Sequence, residues 1–143
     1  MTIRPRAVRA LRDARSRLRD VAAAHATVAN AARDHSHLAL VGEHDKLEEH
    51  LDGAAGELSS ARTVHDLGRV AESTGVHRLD IIDANARLEQ AQRHAEAANE
   101  RLRDSSRSLR LAEKLEERVN DNLAKTEARG EQRLNDDLAA RRR

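Results

Sequence analysis

The chain has 143 residues with no Phe, Trp, Tyr or Cys, one Pro and 36% charged residues. Aromatics supply the largest buried areas, so an apolar content of mostly Ala, Leu and Val is a poor recipe for a compact core, and the lack of Cys excludes disulfides and thiolate chemistry. The net charge of only +1 hides an uneven distribution: residues 1–20 hold seven Arg against two Asp, and residues 43–57 hold six acids against Lys46.

Strong helix formers repeating with an apolar period near 3.5 point to long helices packed along a narrow seam rather than to disorder. No apolar run has the length of a transmembrane span, and the opening MTIRPRAVRALRDAR lacks the apolar centre of a secretory signal, so a soluble intracellular protein is expected. The expected fold class is all-α: two long helices in an antiparallel coiled-coil hairpin, a single domain over residues 1–143, with the second helix longer and protruding at its C-terminal end.

The first helix is predicted over about residues 5–52, with Pro5 in its first turn, where a missing N–H is harmless. Its seam reads Ala7, Leu11, Ala14, Leu18, Val21, His25, Val28, Ala32 and His35. The pattern slips near Val41-Gly42, which predicts a bend or register shift, and resumes with Leu40, Leu47, Leu51 and Leu58.

A corner is predicted over about residues 53–62, because LDGAAGELSSAR holds Gly53, Gly56, Ser59 and Ser60. Thr63 then makes a plausible N-cap, with Asp66 three residues on in the manner of a capping box. Ser73-Thr74-Gly75 is the competing turn.

The second helix is predicted over about residues 63–140, and its heptad register is continuous. One row runs Leu67, Thr74, Ile81, Leu88, Ala95, Leu102, Leu109, Glu116 and Leu123; its companion runs Val70, His77, Ala84, Ala91, Ala98, Ser105, Ala112, Val119 and Thr126. Thirteen of these eighteen positions are apolar and only Glu116 is an Asp, Glu, Lys or Arg, which marks a seam and argues against a break at Gly75. With a corner near residue 57, the N-terminus should lie beside residues 105–113. Glu116 then falls where the second helix loses its partner, and LAKTEARGEQRLNDDLAARRR becomes a free end.

Sites for chemistry are hard to find on such rods. Of the eight His, no two stand three or four apart, so no helix face carries a chelating pair and no metal or other cofactor is expected. His25, His35 and His77 fall at seam positions and are read as a source of pH sensitivity. Ser, His and Asp lack a concave pocket in which to converge, and Gly53-Ala54-Ala55-Gly56 lacks the Lys-Ser or Lys-Thr of a phosphate loop, so no catalytic residue, small-molecule substrate or enzyme activity is expected.

Arg4, Arg6, Arg9, Arg12, Arg15, Arg17 and Arg19 would form a basic collar with Arg101, Arg103, Arg107 and Arg110. Such a collar suits a phosphate backbone, but the absence of stacking aromatics and the acidic middle argue against nucleic acid. Two readings stand beside each other on these grounds: a coiled-coil scaffold bundling through Leu111, Leu115 and Leu134, and a basic helical nucleic-acid binder.

The run AEKLEERVNDNLAKTEARGEQRLNDDLAARRR, Ala112 to Arg143, resembles the end of the FliJ/YscO family, the stalk proteins of flagellar and virulence type III export ATPases. Glu113, Lys114 and Leu115 match the approach to that ending; Gln132, Asp136, Asp137, Leu138, Ala139 and Arg141 match the ending itself. The resemblance implies a non-enzymatic central stalk in the pore of a hexameric export ATPase. It also implies coupling to the export gate membrane protein, handling of export chaperones, and a cytoplasmic place at the inner membrane. It carries ATPase contact onto Lys114, Arg118, Arg129, Gln132, Arg133, Asp136, Leu138 and Arg141. The stretch TVHDLGRVAEST stands where family members place aromatics for the gate; Leu67 and Val70 occupy that region here.

Overall fold

The computed structural model describes residues 4–141, except for the side chains of Ala139 and Arg141. Two helices account for nearly all of it, α1 over Pro5–Ser60 and α2 over Val64–Arg141, joined by three residues. Among the described residues there is no strand, so the fold is an all-α helical hairpin. The chain divides into two compact units, Met1–Ala23 with Arg101–Arg143, and Ala24–Glu100.

The unit Ala24–Glu100 contains the turn. α1 runs through Gly53 and Gly56 to Ser60, into most of the corner expected at residues 53–62, and it also continues without interruption through Val41-Gly42. Each glycine weakens a helix by about 1 kcal/mol relative to Ala, but Ala54 between them is buried and Leu47 and His50 are half-buried, so packing holds the segment helical. No described residue has positive φ, and a Cβ at any of the six glycines would meet nothing within 4 Å. The glycines are therefore not conformational requirements.

The break falls instead where hydroxyls compete with the backbone. Ser59 Oγ donates to the Gly56 carbonyl (2.7 Å) and Ser60 Oγ to that of Glu57 (3.0 Å), occupying the last carbonyls of α1. Thr63 caps α2: the Asp66 amide donates to Thr63 Oγ1 (3.2 Å) while the Thr63 amide donates back to Asp66 Oδ2 (3.1 Å). The Thr63 hydroxyl first, and then the Arg62 amide, which also donates to Oδ2 (3.3 Å), hold the Asp66 carboxyl below the usual carboxylate range.

Antiparallel pairing within this unit follows from two cross-helix contacts. Asn30 and Asn99 exchange reciprocal amide hydrogen bonds (3.2 and 3.3 Å), and His50 Nε2 lies 3.1 Å from both Ser73 Oγ and Thr74 Oγ1. The seam of α2 is the expected one. Val70, Ala84, Leu88 and Ala95 are buried, and Thr74, His77, Ile81, Ala91 and Ala98 are half-buried.

In the unit Met1–Ala23 with Arg101–Arg143, Val8 on α1 and Ala112 on α2 are buried, and Leu102, Leu109 and Val119 are half-buried. Arg12 Nη1 bonds Glu116 Oε2 at 3.0 Å and Arg9 Nε lies 3.6 Å from Glu116 Oε1. This corrects the expected offset. Glu116 is not beyond its partner but inside the seam, its side chain 14% exposed, and the start of α1 pairs with α2 beyond residues 105–113. Past Val119, every described side chain of α2 is exposed, so the longer helix does end without a partner.

The face of α1 also differs from expectation. All nine positions read as its seam, from Ala7 to His35, are exposed. The face turned to α2 holds Val8, Arg12 and Arg19 in one unit and Ala26, Asn30, Leu40, Leu47, His50 and Ala54 in the other. The physical reason lies in the polar residues of α2. Turning Leu11 inward would set an apolar side chain against Glu116, and turning Val28 inward would do the same to Asn99; an unpaired buried carboxylate or amide costs more than exposed Leu or Val gains. Pairing of polar groups therefore selects the face and register, as polar residues do in coiled coils.

Candidate partner-binding surface

The residues that could act on a partner lie on the outer faces of α2. Lys114 and Arg118 are exposed on the paired part of the helix, whereas Arg129, Gln132, Arg133, Asp136 and Leu138 are exposed on the part that has no partner. The side chain of Arg141 lies outside the described residues. At 3.6 residues per turn, Lys114, Arg118, Arg129, Gln132 and Asp136 share an arc of about 60°, with Arg133 at its edge. Lys125, which sequence matching did not single out, falls in the same arc; the spacing 118, 125, 129, 132 was the signal that marks it. Leu138 does not join them. It lies on the opposite side with Leu123 and Leu134, continuing the row that forms the seam further back.

The free end is thus a helix with a cation-rich polar face and a sparse apolar face. Nothing in it converges on a point, and its geometry suits contact along a surface. At the start of α2, Leu67 is half-exposed and Val70 is buried in the seam, so of these two Leu67 is the one that offers free surface.

Clusters elsewhere are explained by packing. Ser73 Oγ and Thr74 Oγ1 both donate to the Val70 carbonyl (3.1 and 2.8 Å), and both lie 3.1 Å from His50 Nε2 on the facing helix. With both hydroxyls committed to that carbonyl, the cluster is a helix-to-helix clamp. The His77 ring stands 4.8 Å from that of His50 with its Nδ1 buried and unpaired, while His25 and His35, expected in the seam, are exposed. Among the described residues no group of three or more His, Cys, Asp or Glu could hold a metal ion, and no helix is long and apolar enough to cross a membrane. The basic collar is partly consumed internally: Arg12 bonds Asp13 as well as Glu116, and Arg19 pairs with Asp20 while its Nε is buried and unpaired. Asp13 first and Glu116 next raise the Arg12 pKa above its ordinary value.

A two-helix hairpin with an unpartnered, polar C-terminal helix matches the model of the flagellar FliJ protein family over residues 6–143. The chain belongs to the FliJ family. Membership makes it a component of the flagellar protein export apparatus, in keeping with its helical hairpin. Comparison with curated proteins and with solved structures gives no match.

Proposed function

We propose that the chain is a non-enzymatic central stalk and adaptor of the flagellar, type III, export apparatus. In this reading the free end of α2 inserts into the pore of the hexameric export ATPase. The observation that carries it is the exposure of every described side chain from Asn120 to Leu138 on a helix that stays continuous without a partner. A lone helix of this polarity gains little from burial of its own, and a ring of matching charge gives it a socket. Arg129, Gln132, Arg133 and Asp136 contact the ring from the free end, Leu138 and Arg141 beyond them, and Lys114 and Arg118 at the mouth. Leu67 meets the export gate, with Val70 holding the helix beneath it, and export chaperones dock during escort. The protein works in the cytoplasm, peripheral to the inner membrane.

The structure changes which truncation tests this. Among the described residues, removing 120–143 takes away only unpaired helix, whereas removing residues from 114 would also take Glu116 and leave Arg9 and Arg12 without it. The full chain should bind the purified export ATPase, promote its ring form and stimulate ATP hydrolysis. The chain ending at Val119 should fold and fail in all three. Full stimulation by that truncated chain would sink the proposal.

A further inference from the structure

Of the eight histidines, His25, His35, His37, His44, His65 and His94 are exposed, and His50 and His77 are half-buried in the seam. These two face each other across the helices of the unit Ala24–Glu100, their ring centroids 4.8 Å apart and their planes tilted by 41°. Each ring is fixed differently. His50 Nε2 lies 3.1 Å from Ser73 Oγ and from Thr74 Oγ1, whose hydroxyls both donate to the Val70 carbonyl. His77 Nδ1 is buried with no hydrogen-bond partner. A lone pair left unused there costs little, whereas a proton there makes a buried, charged donor with nothing to accept it.

The charged groups around the pair can offset one added charge and not two. On α1, Lys46 stands one turn before His50 and is bonded to Glu43 (2.8 Å); on α2, Asp80 stands one turn after His77, and Asp83 beyond it pairs with Arg87. His77 shares a groove with all five and with the exposed His35. Two of these three carboxylates are therefore held by cations, and Asp80, in no ion pair among the described residues, also acts on Lys46. Glu49 and Arg78, the sequence neighbours of the pair, are exposed. Two imidazolium rings this close repel each other, and a seam screens them less than water does. We propose that the His50–His77 pair is an acid-sensitive latch: the closed seam accepts at most one proton on the pair, with His77 the member that stays neutral, and uptake of a second loosens the hairpin near its turn. This moves the pH sensitivity expected of seam histidines away from His25 and His35, and it goes beyond the stalk reading without resting on it. In the unfolded chain both rings charge below about pH 6.5. The unfolded chain then binds one proton more than the folded one, so the latch holds fully above that pH and weakens as pH falls below it.

Urea melts of the full chain at about pH 7.5 and about pH 5.5, followed by circular dichroism, test this in a window above the range where Asp and Glu titrate. For one proton, the unfolding constant of the wild type should rise about tenfold between the two conditions. In His77→Gln and His77→Ala, which are neutral at both, it should rise less than about twofold. One replacement is polar and the other a strong helix former at an alanine-rich seam, and the melt at the higher pH shows that each is folded. His50→Gln keeps the buried Nδ1 and should retain part of the rise, and the exposed-site control His37→Gln should retain all of it. A wild type whose unfolding constant does not change with pH overturns the proposal, as does an equal rise in the wild type and in both His77 variants. A full rise in His50→Gln overturns the pairing of the two rings, and loss of the rise in His37→Gln overturns the assignment to the seam.

Discussion

Leu88→Ala and Leu18→Ala, measured side by side, decide which face of α1 meets α2. Leu88 is 9% exposed in the seam and Leu18 is 55% exposed on the outer row. Replacing Leu by Ala removes three carbons, each worth about 0.8 kcal/mol when buried, so Leu88→Ala should cost about 2 kcal/mol. The cavity contribution stays small because a two-helix seam is walled on few sides and relaxes. Part of the cover on Leu18 comes from its own preceding turn, which stays in place, and Ala is the better helix former. Leu18→Ala should therefore change stability by less than about 0.5 kcal/mol. Urea and thermal melts followed by circular dichroism, at about 5 µM protein to suppress association, give both numbers. For a chain of this size the first variant should melt about 4–8 °C lower and the second within about 2 °C of wild type. If Leu18→Ala cost as much as Leu88→Ala, α1 would pack through the Leu11–Leu18 row and the polar-pairing account of its face would be wrong.

Thr63→Ala removes the cap of α2 and should cost about 1 kcal/mol in the same melts. Asp66 has a lowered pKa in the folded chain, so its contribution is fully present above the unfolded value near 3.9 and is lost as pH falls through the folded value. Acid titration of stability should accordingly be shallower in Asp66→Asn than in wild type below about pH 5. Asn30→Leu leaves Asn99 without its partner and should cost about 1–3 kcal/mol, whereas adding Asn99→Leu should recover most of that loss. Gly53→Ala meets open space in a helix and should stabilise the chain by about 0.5–1 kcal/mol; a loss would show that the helix does not pass through that position.

The seam of α2 was legible because one heptad row is apolar and its competitors are charged: from Val70 to Val119 the expected positions are the covered ones. α1 is different. Its Leu11, Leu18, Val21 and Val28 make the more apolar row, yet the helix turns Val8, Arg12, Ala26 and Asn30 to its partner, because Glu116 and Asn99 must be matched across the seam. A pattern read on one helix at a time does not see that requirement. The corner was misplaced for a related reason. Gly53 and Gly56 lower helix propensity locally, and the burial of Ala54 overrides them, so the break moved to Ala61–Thr63 and the whole pairing offset moved with it. All the candidate contact residues were carried by resemblance; helical spacing puts five of them on one face, whereas Leu138 stands on the other side of the helix.

The cross-helix polar pairs of the unit Ala24–Glu100 have a mechanical meaning. A seam lined with alanine is smooth, and one helix could slide along another with little change in apolar area. Asn30 with Asn99, and His50 with Ser73 and Thr74, act as pins through that smooth surface. Slippage by a single turn, about 5.4 Å, would shear all of these bonds at once. Under axial load this helix pair would deform as one stiff beam until the pins fail, and its resistance to shear resides in these few polar contacts.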